Sequence, residues 1–113
     1  PSDPQWLHQR LQTGIRRAHY PAGTARQLVA VAAHGDRTPL LARIQAPTHI
    51  IHGVADPLIP VAAGHDLKRK VSGASADFIE GMGHDLPLAL MSRFAEGINT
   101  NAARARCGEM TPP

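Results

Sequence analysis

An aspartate and a histidine attract attention by where they fall. Asp56 follows a short apolar run that ends in His52-Gly53, and His84 follows a second run that ends at Ile79. The two are 28 residues apart, and each lies just beyond the C-terminal end of a predicted strand. That edge is where open α/β sheets assemble their sites. Adjacent strands would bring carboxylate and imidazole within hydrogen-bonding reach, and such a pair can hold and move a proton. Taken singly, Asp56 reads as a turn residue before Pro57 and His84 as a polar loop residue. Their order and spacing together favour a site.

Other chemistry-bearing residues carry less. Met82, two positions before His84, is a candidate substrate-contacting residue, with core packing as the alternative. Asp85 could orient the loop after His84. His49 and His52 invite a metal, but residues three apart on a strand point to opposite faces, so no metal is expected. His34-Gly35-Asp36 echoes the His52-Gly53 loop, yet Gly35 is better explained as a helix stop. His8, His19 and His65 fall on helix surfaces or ends and suggest no role. Cys107 is the lone cysteine. It excludes an internal disulfide, fits a reducing compartment, and has no neighbouring histidine to activate it.

Bulk properties narrow the classes further. A chain of 113 residues is one domain at most. No apolar stretch approaches the ~18 residues a spanning helix needs, so no membrane span is expected. The N-terminus shows no basic region followed by an apolar core, and the chain is placed in the cytoplasm. The net charge of +3 comes from ten arginines and two lysines, scattered except for Lys68-Arg69-Lys70. None of the four aromatics interleaves with that run, which argues against nucleic-acid binding and for a solvated helix end.

The elements that must position Asp56 and His84 follow from turn residues and periodicity. Ser2-Asp3-Pro4 starts a helix that runs to about Ala18, with Trp6, Leu7, Leu11 and Ile15 at helical spacing. That face is a core face by default, or a cap face over substrate. Tyr20-Pro21-Ala22-Gly23 is read as a break, with Thr24 capping a second helix that Gly35 ends. Thr38-Pro39 opens a short turn of helix. From Pro47 the order becomes strand (Thr48–His52), helix (from Pro60 to Gly73), strand (Ser75–Ile79), helix (from Pro87). After Ala105 a flexible tail is expected. Alternating strands and helices imply a parallel pair and an α/β class. Parallel sheets are buried on both faces, so two strands call for more strands from elsewhere.

At this point the chain resembles a known family. Ala46 to Pro60, with Gly53 and Asp56-Pro57 at its centre, resembles the segment that delivers the acid in α/β-hydrolases. Gly81-Met82-Gly83-His84-Asp85 resembles the segment that delivers their histidine. The likeness is to esterase- and lipase-like members, including aclacinomycin methylesterase-type hydrolases. It covers residues 37–100 and, more weakly, residues 1–36 as the end of a helical cap. His49 departs from the pattern, since the family places an aliphatic residue there.

The resemblance implies a chain organised as a cap end (1–36), the C-terminal part of an α/β-hydrolase core with its last two parallel strands (37–105), and a tail (106–113). It makes Asp56 and His84 the candidate catalytic residues, His84 as proton acceptor and donor and Asp56 as its orienter. Gly81 and Gly83 would let the loop turn. The family's Gly-x-Ser-x-Gly elbow is absent: Ser2, Ser72, Ser75 and Ser92 lie in no such motif. The expectation is therefore the acid-and-base portion of a serine hydrolase acting on small carboxylic esters. It needs no cofactor, and the N-terminal part of the fold, with the nucleophile, is missing. The alternatives are dehalogenase or epoxide-hydrolase chemistry on the same scaffold, or a truncated non-catalytic remnant.

Overall fold

A computed structural model describes residues 3–108. The chain divides into two compact units, with the boundary between Arg37 and Thr38. The first unit holds two helices, α1 (Pro4–Arg17) and α2 (Pro21–Ala33). Asp3 caps α1 by accepting a hydrogen bond from the Gln5 backbone N–H at 3.0 Å. Arg16 and Arg17 in the last turn lie at the negative end of the helix dipole. Along α1, Leu7, Leu11 and Ile15 are exposed, and the Arg10 guanidinium lies over the Trp6 ring.

Helix α2 corrects one sequence expectation. It starts at Pro21 rather than after Thr24, because proline is suited to a first helical position: its φ is preset, and the N–H it lacks would have no helical partner. The Tyr20-Pro21 pair thus opens the helix. At its end Gly35 adopts φ +66°, a left-handed conformation suited to a helix stop.

The second unit contains α3 (Thr38–Leu41), β1 (His49–Gly53), α4 (Val61–Lys70), β2 (Ser75–Ile79), a 3₁₀ turn (Leu88–Leu90) and α5 (Met91–Gly108). β1 and β2 pair in parallel, in register from His49 opposite Ser75 to Gly53 opposite Ile79. Parallel neighbours need a crossover, and α4 supplies it. The result is an α/β unit built on a two-stranded parallel sheet. Helix α5 outruns the expected boundary at Ala105. Ala102, Ala103, Arg104, Ala105 and Arg106 are strong helix formers, and nothing breaks the run before Gly108. Residues 106–108 are thus helical, and the rest of the expected tail lies outside the described residues.

Glycines let the two helices approach the sheet. A Cβ on Gly64 of α4 would come within 2.8 Å of the His52 ring and 2.9 Å of Phe78. A Cβ on Gly97 of α5 would come within 2.7 Å of the His49 ring. The two histidines therefore face different helices, as their spacing requires. His49 is accommodated by Gly97 and by a 2.8 Å hydrogen bond between its Nδ1 and Ser75 Oγ. His65, expected to be a plain surface residue, stacks on Phe78 with ring centroids 3.9 Å apart. The main core cluster joins Ile79, Met82 and Phe94, with Ile51 and Leu90 packed against it. Among the described residues no helix is long and apolar enough to cross a membrane.

Candidate functional site

The strands end at Gly53 and Ile79, but the loops that leave them stay side by side. Val54 N–H donates to the Ile79 carbonyl and Ala55 N–H to the Met82 carbonyl, both at 3.0 Å. The second loop reverses through a turn closed by Met82 N–H to the Ile79 carbonyl. Gly81 occupies the third position of that turn with φ +71°, a conformation L side chains resist. These contacts carry Asp56 and His84 to one place. Their side chains meet, with His84 Nδ1 2.7 Å from Asp56 Oδ2.

Asp56 is held on both oxygens. Oδ1 accepts from the backbone N–H groups of Leu58 at 2.8 Å and Ile59 at 2.9 Å. This local turn fits the short side chain of aspartate. Oδ2 is left for His84. The side chain of Asp56 is 5% exposed and that of His84 51%, so the carboxylate is covered and the imidazole is open to solvent. An ionised carboxylate only accepts, so Nδ1 of His84 carries the proton. Nε2 then presents a lone pair, and it makes no hydrogen bond among the described residues. That tautomer suits a general base.

Burial pushes the Asp56 carboxyl up, but the hydrogen bonds from Ile59, His84 and Leu58 and the nearby imidazole outweigh it, and its pKa falls from 3.8 to about 2. Asp56 is therefore ionised throughout the neutral range. A depressed carboxylate stabilises the fold in full above its unfolded pKa, and that stabilisation disappears as pH falls through its folded pKa. Stability should drop between pH 3.8 and about 2. Asp56→Asn should flatten part of that drop in acid-unfolding curves followed by circular dichroism. Asp66 and Asp77, which are lowered mainly by hydrogen bonds from Lys70 and Arg93, contribute in the same direction. An unchanged acid limb in Asp56→Asn would mean that the carboxylate is not held in this way.

A cleft of about 440 Å³ opens beside the pair. Its walls include Ile51, Ile59, Ala63, Leu67 and Leu86, with Asp56 and His84 at the polar side. Apolar walls with a few convergent polar groups are the usual make-up of a small-molecule site. Met82 borders this cleft, while the residue is 6% exposed and packs with Ile79 and Phe94. Gly83 departs from its expected part: its φ is not positive, and an added Cβ would make only ordinary contacts. The sharp turn belongs to Gly81. Ser75 starts β2, far from the ends that hold Asp56 and His84, and its hydroxyl is engaged by His49 and Arg104.

Reading the residues alone missed His52 as part of this neighbourhood. Its Nε2 lies 3.9 Å from Asp56 Oδ2 and 2.9 Å from the Ile59 carbonyl oxygen. Strand alternation separates His52 from His49, but the seat of its ring beside Asp56 depends on Gly64 of α4 and left no local signal.

No protein-family model matches the chain. No curated protein matches it either.

Proposed function

We propose that this chain is the C-terminal, acid-and-base part of an α/β-hydrolase that cleaves carboxylic esters with a serine nucleophile supplied from outside these 113 residues. The observation that carries this reading is the 2.7 Å hydrogen bond between Asp56 and His84, at the C-terminal edge of a parallel strand pair. Half-buried strand residues such as Ile50 and Ile51 support it as well. Parallel strands normally have both faces and both neighbours covered, so these two are suited to continue into a larger sheet.

In this reading Nε2 of His84 takes the proton of the serine hydroxyl as its oxygen attacks the ester carbonyl. The imidazolium that forms is stabilised by Asp56 and returns the proton to the departing alkoxide oxygen. Water then enters, and His84 takes its proton as the water oxygen attacks the acyl carbonyl. The bond to the serine oxygen breaks, the imidazolium returns the proton to that oxygen, and the acyl group leaves as the acid. The apolar walls of the cleft suit an ester with hydrocarbon on at least one side.

The test is to read the coding sequence upstream of Pro1 and to treat the whole encoded protein with a fluorophosphonate probe. A strand followed by Gly-x-Ser-x-Gly, with labelling of that serine, supports the reading. An aspartate at the elbow would replace it with dehalogenase or epoxide-hydrolase chemistry. A start codon directly before Pro1 would overturn it.

A further inference from the structure

We propose that His52 is a positioning residue that fixes the orientation of Asp56, and through it of His84, by gripping the backbone of residue 59. The geometry stands by itself; its bearing on catalysis rests on the function proposed above. His52 lies one residue before the end of β1 and its side chain is 11% exposed. Its ring is packed against Gly64, where an added Cβ would meet Nδ1 at 2.8 Å. Packed in this way, the ring places Nε2 2.9 Å from the Ile59 carbonyl oxygen. A carbonyl only accepts, so Nε2–H of His52 donates.

The same residue is tied to the acid. Ile59 N–H donates to Asp56 Oδ1 at 2.9 Å. One residue of the loop is therefore held from its carbonyl by His52 and from its N–H by Asp56. Pro57 and Pro60 flank this stretch and have no N–H of their own, so Leu58 and Ile59 are the donors that can pin Oδ1. If residue 59 moves, Oδ1 loses a partner and the carboxylate can rotate away from His84. Nε2 of His52 also lies 3.9 Å from Oδ2, the oxygen that receives His84 Nδ1–H.

The experiment is ring-nitrogen NMR on the whole chain, first in the parent and then in two variants. In the parent at neutral pH, His52 should carry its proton on Nε2; a proton on Nδ1 alone would overturn the proposal without any mutation. In His52→Leu, exchange of the His84 Nδ1–H with solvent should accelerate by about tenfold or more, the scale of one lost hydrogen bond. In His52→Gln, whose terminal amide N–H can replace Nε2–H, exchange should return to within about twofold of the parent. A folded His52→Leu variant with parental protection at His84 would overturn the proposal, as would a folded His52→Gln variant with no rescue. A protein that fails the fluorophosphonate test while passing this one would sink the serine-hydrolase reading and leave the positioning role intact.

Discussion

On the ester-hydrolase reading proposed above, replacing His84 with alanine in the whole encoded protein should lower kcat for a chromogenic ester by roughly 10⁴- to 10⁶-fold, with KM nearly unchanged. The size follows from what the imidazole does. In the proposed mechanism it accepts a proton in one step and donates it in the next, so its loss affects both barriers. The separation of kcat from KM follows as well, because a base that acts only as bonds change contributes nothing to ground-state binding. Asp56→Asn should cost about 10⁴-fold, and here the structure supplies a specific reason. Oδ1 accepts two backbone N–H groups, so the asparagine carbonyl must take that place. Its NH₂ then faces Nδ1 of His84 and donates to it. The proton moves to Nε2, and the ring can no longer act as a base toward the nucleophile. Steady-state kinetics on the two variants decide the matter. A loss below about tenfold in His84→Ala would remove this histidine from the mechanism.

Much of this arrangement was legible in the sequence, and the reasons are local. Pro47 and Gly53 bracket a β-branched run, so β1 was readable from its own residues. Asp3 and Gly35 mark helix ends by capping chemistry that needs no tertiary context. Asp56 and His84 were readable because both follow strands, and strand ends in a parallel pair lie along one edge. What escaped depends on packing between elements. Nothing in the string of residues says that Gly97 of α5 will lie over His49, or that His65 will stack on Phe78. The grip of His52 on Ile59 was hidden for the same reason, since it needs Gly64 from α4 to seat the ring. Thr24 misled because a good capping residue competed with Pro21, and the preset φ of proline won. Gly81 and Gly83 look alike in sequence, and only their φ angles separate the turn-maker from its neighbour.

The second large effect is expected at a residue with no functional group. Gly53→Ala should destabilise the strand unit by roughly 3 kcal/mol or more and break the Asp56–His84 contact along with it. An added Cβ at Gly53 would sit 2.2 Å from the Met82 carbonyl oxygen and 2.4 Å from that of Gly83. Both neighbours are backbone, which cannot turn aside as a side chain can. The Met82 carbonyl is also the acceptor for Ala55 N–H, the hydrogen bond that keeps the two exit loops together. Relieving the clash therefore means pushing residues 82–84 away from residues 53–56, which separates Nδ1 of His84 from Oδ2 of Asp56. Chemical denaturation followed by far-ultraviolet circular dichroism measures the first effect, and protection of the His84 Nδ1–H in NMR the second. Gly83→Ala is the control, because a Cβ there would meet Asp85 Oδ1 at 3.7 Å and Pro57 Cδ at 3.9 Å, ordinary contacts both. If Gly53→Ala proved as stable as Gly83→Ala, the close passage of the second loop over the end of β1 would be wrong. The spatial basis for pairing Asp56 with His84 would then fall with it.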